Sequence, residues 1–122
     1  MSAGTHPYRT HTCGELRPEH AGATARLSLA YYYYPNSSCT ASTCQLNVGA
    51  VSSGNGGASW GAASRLTPTS MAVLWLANTN QGYMVGDYIS ASFAGGRATA
   101  VFAVATAPDA SLHEAMLAGP LP

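Results

Sequence analysis

Lysine is absent from the sequence, and its 122 residues carry only five arginines and five acidic residues, so the formal net charge is zero. Proteins that bind nucleic acid usually carry a basic patch, and this charge balance therefore argues against a nucleic-acid partner. Long hydrophobic runs are missing too. The longest, residues 71–77, is far too short to cross a bilayer, so no membrane partner is expected. No positive cluster is followed by an apolar stretch at the start, so no secretory signal is visible.

The abundant residue types are Ala, Gly, Ser, Thr and Tyr, which suit short strands and tight turns better than long helices. Alternation or β-branched and aromatic enrichment predicts strands at residues 27–34, 45–52, 60–66, 71–76 and 98–105. Trp75 is a predicted core residue. Other segments are predicted as a polar loop (77–82), a glycine-containing hairpin turn (94–97), and a strand or one helical turn (112–117). The predicted fold class is all-β.

Four consecutive tyrosines occupy residues 31–34, and alternation along a strand would place two rings on each face of a sheet. Such rings either form a platform for sugars or pack inside the fold with their hydroxyls at its edges. The packing interpretation is favoured here.

Three cysteines are present, Cys13, Cys39 and Cys44. The last two flank a small polar loop, and their spacing differs from the Cys-x-x-Cys of redox motifs. We therefore predict a structural disulfide between Cys39 and Cys44, with two reduced thiols as the alternative. Such a bond persists only in an oxidising compartment, where an unpaired Cys13 would be unusual.

Residues 53–60, Ser-Gly-Asn-Gly-Gly-Ala-Ser-Trp, are typical of a tight polar turn that presents a large aromatic side chain. Asn55 can bond to nearby backbone amides, and Gly56 and Gly57 can supply a positive φ. Trp60 offers a wide apolar face where the next strand should begin.

This spacing resembles the Asp-box, or BNR repeat, of sialidase-like β-propellers, Ser-x-Asp-x-Gly-x-Thr-Trp, with Asn in the Asp position and Ser in the Thr position. The resemblance implies a structural role for the residues that match it: Ser53, Asn55, Gly57, Ser59 and Trp60. The order of cysteine loop, Asp-box, Gly-Asp-Tyr-Ile-Ser, hairpin and apolar strand across residues 27–122 is similar to the C-terminal part of secreted BNR-repeat proteins. It implies a partial β-propeller of about two antiparallel blades, completed by missing blades or by self-association.

By the same resemblance, an exo-α-sialidase-type glycoside hydrolase uses a tyrosine nucleophile beside a carboxylate, and clamps the sugar carboxylate with three arginines. Only Arg65 and Arg97 occur in residues 27–122, so the clamp cannot be assembled there. We therefore expect a fragment of a secreted sialidase-like protein that is not catalytically competent alone. The alternative is a carbohydrate-binding or interaction module.

The candidate catalytic residue is Asp87, with the alternative that its carboxylate caps a turn. The substrate-binding candidates are Tyr83, Tyr88 and Arg97, whose tyrosines can instead pack. The partners implied are glycans, and no cofactor is expected.

Residues 8–22 closely resemble the opening of bacterial aspartyl-tRNA synthetases, Arg-Thr-His-x-Cys-Gly-x-Leu-x-x-x-His-x-Gly. The match stops where that family continues into its five-stranded OB-fold, so residues 1–26 are predicted to be a poorly ordered segment without a complete domain. A synthetase fragment, or a chimeric reading frame without an evolved function, is a further alternative, and tRNA is a partner only in the first case. The segment's potential ligands lack the spacing of a compact zinc site, so no metal is expected: His6, His11, Cys13 and His20.

Overall fold

The computed structural model describes residues 25–86, 88–109 and 113–122. Within these ranges the chain forms nine strands and a 3-10 helix: β1 (Leu27–Tyr33), β2 (Gln45–Ser53), β3 (Ser64–Arg65), β4 (Met71–Ala72), the 3-10 helix (Val73–Trp75), β5 (Ala77–Thr79), β6 (Gly82–Met84), β7 (Ser90–Ala94), β8 (Arg97–Ala105) and β9 (Glu114–Pro120). No helix in these ranges has the length and hydrophobicity to span a membrane. The predicted all-β class is confirmed.

All strand pairs are antiparallel, and they form three small sheets. The first sheet has the order β1-β2-β3, and β4 pairs with the start of β2. The second sheet is the hairpin β5-β6, and the third has the order β7-β8-β9. The described strands do not close into a propeller, which needs several four-stranded blades.

One hydrophobic core is shared by the first and third sheets, which both contribute buried side chains to it. On β2, Leu46, Val48 and Ala50 turn into this core, as the alternation predicted. The largest fully buried side chains are Phe102, Met71 and Val48. Much of the remaining core is alanine, whose short side chain allows two sheets to approach closely: Ala30, Ala50, Ala98, Ala100 and Ala105.

The tyrosine run alternates across β1 as predicted. Tyr31 and Tyr33 share one face, with ring centroids 5.8 Å apart. Tyr31 covers its cross-strand partner Gly49, where a Cβ atom would lie only 2.9 Å from the ring. The face of β2 opposite the core is therefore closed over Gly49, and Asn47 on the same face is buried as well.

Tyr32 points the other way and links the two large sheets. Its hydroxyl donates to the Ala103 carbonyl at 2.9 Å and accepts from the Ala103 N–H at 2.8 Å. Pairing with β7 stops opposite Val101, so Ala103 has no strand partner on that side. The Met71 sulfur similarly accepts from the Ala105 N–H at 3.0 Å. Two side chains thus satisfy backbone groups that the short β7 leaves unpaired.

The predicted strand at residues 60–66 is wrong except at Ser64–Arg65. The pairing of Ala50 with Ser64 would place residue 62 opposite Ser52. Instead, the Gly61 N–H donates to the Ser52 carbonyl, which is one residue away from that register. An extra residue on this side of the ladder therefore interrupts the pairing, as in a β-bulge.

The predicted strand at residues 71–76 is also shorter than expected. It ends at Ala72 and continues as the 3-10 helix Val73–Trp75. Short apolar runs do not distinguish strand from helix by periodicity. Trp75 is partly buried and packs against the core rather than inside it.

Residues 77–82 do not form a loop, because Ala77–Thr79 pairs with Gly82–Met84 as a hairpin. The hairpin turn at 94–97 is confirmed, with φ of 56° at Gly95 and 76° at Gly96, values that favour glycine. Of the two alternatives for residues 112–117, the strand agrees with β9 from Glu114 onward, and residue 112 lies outside the described residues.

The predicted disulfide is present between Cys39 and Cys44, with their Cα atoms 4.9 Å apart. Inside the closed loop, the N–H groups of Thr43 and Cys44 both donate to the Thr40 carbonyl. The Val73 N–H donates to the Cys44 carbonyl at 3.0 Å, which ties the loop to the 3-10 helix.

Candidate functional site

Ser53 organises the turn between β2 and Trp60 from the end of the strand. Its hydroxyl oxygen accepts the N–H groups of Gly57 at 2.9 Å and Asn55 at 3.3 Å. The same hydroxyl donates to Asn55 Oδ1 at 2.9 Å. Ser53 is only 3% exposed, so this hydroxyl depends on the turn rather than on water for its partners.

The Asn55 amide bridges the turn to its far side. Asn55 Oδ1 also accepts the Ser59 N–H at 2.9 Å, and Asn55 Nδ2 donates to Ser59 Oγ at 2.8 Å. A carboxylate in this position could accept from the same N–H and from both serine hydroxyls. The geometry therefore suits Asn or Asp and requires a side chain of that length.

Two glycines give this turn its path. Gly56 and Gly57 have φ values of 69° and 90°, which side chains with a Cβ rarely adopt. The Gly56 N–H donates to the Ala25 carbonyl at 2.8 Å, which fastens the turn to the chain two residues before β1. A Cβ at Gly57 would lie 3.3 Å from Leu27 Cδ1, so the turn also lies against β1.

Trp60 follows the turn and keeps 46% of its surface exposed. Its ring lies beside the turn, since a Cβ added at Gly57 would be 3.8 Å from Trp60 Cζ2. Large exposed apolar side chains also occur elsewhere in the described chain: Leu74, Tyr88, Met116 and Leu117. The Trp60 indole directly follows the hydrogen-bonded turn, which limits the backbone freedom just before it.

Within the described residues, the predicted catalytic and substrate-binding candidates do not come together in one cluster. Asp87 lies outside the described residues. Tyr83 is on β6, partly buried and packed against the core, whereas Tyr88 lies between β6 and β7 with 86% of its surface exposed. Arg97 is exposed at the start of β8, opposite Ala94.

Tyr88 and Arg97 belong to opposite ends of β7. Ser90 to Ala94 spans about 13 Å of strand, with Tyr88 before it and Arg97 after the turn that follows it. Arg65 donates to the Pro68 carbonyl at 3.1 Å, and Arg26 donates to the Gly96 carbonyl at the same distance. These two guanidinium groups thus bind backbone carbonyls in different parts of the chain and do not converge on a common site.

Metal ligation has no support within the described ranges, where no group of three or more His, Cys, Asp or Glu side chains converges. The synthetase-like residues 8–22, and Cys13 with them, lie outside the described residues.

One buried polar pair gave no signal in the sequence. Thr67 Oγ1 donates to Asn47 Oδ1 at 3.2 Å and accepts the Val48 N–H at 3.4 Å. Both Thr67 and Asn47 are 2% exposed. The partners are 20 residues apart in the chain, so no local pattern could have joined them.

Comparison with known proteins identifies no relative. No protein-family model matches the chain, no curated protein matches its sequence, and no solved structure matches its fold.

Proposed function

We propose that residues 27–122 are a fragment of a secreted sialidase-like β-propeller that binds carbohydrate without hydrolysing it. The Asn55-centred turn carries this proposal. Its side-chain hydrogen bonds join the Ser, Asn and Ser positions that the Asp-box spacing singled out, and Trp60 follows with nearly half its surface free. A free indole face can stack on the apolar face of a sugar ring.

Two further observations support the architecture of the proposal. The first and third sheets bury side chains in a common core, as neighbouring blades of a propeller do. The Cys39–Cys44 disulfide fits an oxidising compartment, in which such bonds persist.

The absence of hydrolysis in the proposal rests on the arginines. Residues 27–122 contain two of them, and Arg65 already donates to the Pro68 carbonyl. Binding of an acidic sugar through a clamp of three guanidinium groups is therefore not available to this fragment alone. Stacking on an aromatic face needs no such clamp, so neutral sugars fit the site better.

Glycan-array screening of the disulfide-bonded protein, followed by calorimetric titration of the best ligand, tests the binding. We expect Trp60→Ala to weaken the affinity about tenfold or more, since tenfold corresponds to about 1.4 kcal/mol of lost contact. Leu74→Ala is the matched control, because Leu74 is 45% exposed against 46% for Trp60 and is not aromatic. Equal affinities for the two variants, or no glycan bound by the wild type, would contradict the proposal.

A fluorogenic sialoside tests the catalytic part separately. We expect no turnover by the wild-type protein. Turnover that disappears in Asp87→Asn would instead establish hydrolysis by this chain and refute the non-catalytic assignment.

A further inference from the structure

Strand β9 (Glu114–Pro120) forms the outer edge of the third sheet. Among the described strands only β8 is in hydrogen-bonded register with it. Five of its seven residues are exposed, and Met116 and Leu117 remain 57% and 39% exposed. Both faces and the outer edge of this strand therefore meet solvent over most of its length.

The hydrogen-bond phase identifies the backbone groups that point outward from this edge. Bonds from Thr106 N–H to the His113 carbonyl, and from Leu121 N–H to the Ala98 carbonyl, flank β9 at its two ends. Antiparallel ladders alternate, so every second residue of β9 between these bonds also faces β8, including Leu117.

The intervening residues of β9 face away from β8. Their partners Ala103 and Ala105 turn their N–H groups to the Tyr32 hydroxyl and the Met71 sulfur, on the side opposite β9. The cross-strand residues therefore turn theirs to the free edge. The outward backbone groups are the N–H and C=O of Glu114, Met116 and Ala118, together with the Pro120 carbonyl.

Within the described residues, the part of this edge from 115 to 118 lacks the features that usually prevent strand addition. The charged Glu114 lies at the beginning of the strand, where its carboxylate accepts the Ala77 N–H at 3.1 Å. Residues 115–120 carry no charge, and the only proline in the strand is at its last position. Edge strands are normally blocked by charged side chains, by central prolines, by bulges or by a covering segment. The zero net charge of the chain also removes long-range repulsion between copies.

We propose that β9 pairs in antiparallel fashion with β9 of a second copy of this chain, across a two-fold axis. The edge is complementary to itself when Met116 lies opposite Ala118 of the second copy. The Met116 N–H of one copy then donates to the Ala118 carbonyl of the other, and the Ala118 N–H of the other donates back to the Met116 carbonyl. The two-fold axis repeats this pair of bonds, which gives four in all. The two three-stranded sheets thereby become one continuous sheet.

Side chains are consistent with this register. Leu117 lies on the axis and faces its symmetry copy, on the same side of the sheet as its cross-strand partner Phe102 of the core. Pro120, which has no N–H to donate, falls opposite Glu114 at each end of the paired segment, where the one bond lost per end disturbs the ladder least.

A pair of substitutions at Met116 tests the pairing in the full-length, disulfide-bonded protein. Met116→Pro removes an outward N–H and leaves the bonds to β8, whereas Met116→Ala removes the side chain and keeps the N–H. Analytical ultracentrifugation over micromolar to millimolar concentrations should show a dimer for the wild type and for Met116→Ala. For Met116→Pro we expect the dimer dissociation constant to rise about tenfold or more.

Hydrogen exchange on the wild-type protein provides a test that does not depend on the folding of a variant. The Met116 and Ala118 amides should become more protected as concentration rises, while the Leu117 amide, bonded to β8, stays protected throughout. A monomer at every concentration would overturn the proposal. So would a dimer in which the Met116 and Ala118 amides exchange as fast as in dilute solution.

Discussion

Replacement of Asn55 by alanine should destabilise the protein more than an exposed asparagine normally would. The substitution removes the acceptor of the Ser53 hydroxyl and of the Ser59 N–H, and the donor to Ser59 Oγ. Ser59 is exposed and can bond to water instead. Ser53 is buried, so its hydroxyl loses a partner that water does not readily replace.

The expected magnitude follows from this difference in burial. The two bonds to exposed Ser59 contribute about 0.5 kcal/mol each, and the buried hydroxyl left without its acceptor costs about 1–2 kcal/mol. Asn55→Ala should therefore lower the free energy of unfolding by about 2–3 kcal/mol. Asn55→Asp keeps an acceptor for Ser53 and for the Ser59 N–H, and should stay within about 1 kcal/mol of the wild type.

Urea unfolding followed by far-ultraviolet circular dichroism measures these changes without relying on the nearby indole. Asn36→Ala is the matched control, because exposed Asn36 accepts one bond, from the Ser38 N–H at 3.0 Å. The reasoning is refuted if Asn55→Ala costs no more than Asn36→Ala. It is also refuted if Asn55→Asp is as unstable as Asn55→Ala, because the turn would then not depend on the acceptor.

Three other perturbations have outcomes fixed by the contacts. Tyr32→Phe should cost about 1–3 kcal/mol, since the Ala103 N–H and carbonyl lose their partner. Burial raises the pKa of Tyr32 in the folded protein, although the hydrogen bond with Ala103 lowers it in part. The stability that the neutral Tyr32 hydroxyl contributes is therefore fully present below the unfolded pKa of about 10, and it is lost as pH rises through the folded pKa. The loss of unfolding free energy at alkaline pH should accordingly be less steep in Tyr32→Phe. Reducing the Cys39–Cys44 bond should lower the free energy of unfolding by about 2 kcal/mol, as the loop-entropy relation gives for this short loop. The reductant should therefore shift the urea midpoint of the wild type and leave that of the double Cys→Ser variant unchanged. Ser28→Ala should raise the unfolding free energy by about 1 kcal/mol, because within the described chain the buried Ser28 hydroxyl has no hydrogen-bond partner; a loss of stability there would contradict this account.

Features encoded locally were predicted well from the sequence. The alternation of β2, the glycine pair of the 94–97 turn and the two cysteines flanking a short loop each contain their own signal within about ten residues. The polar turn before Trp60 is of the same kind, because Ser53, Asn55 and Ser59 bond within the turn.

Features that depend on distant partners were not predictable in the same way. The β5–β6 hairpin is built from Ala, Asn, Thr, Gly, Tyr and Met, and none of its side chains is fully buried, so no apolar alternation marks it in the sequence. The bond between Tyr32 and Ala103 joins residues 71 apart, so only the packed sheets bring them together. The sialidase-type candidate Asp87 stays a prediction, since it lies outside the described residues.

The small ring closed by Cys39 and Cys44 changes what a proteolytic cut in this loop would do. Ala41 and Ser42 at its tip are exposed, and such tips are preferred cleavage sites. A chain nicked there would still migrate as one molecule without reductant, because the two cysteines keep the halves covalently joined. Damage at this loop would become visible as two fragments only when thiols are restored.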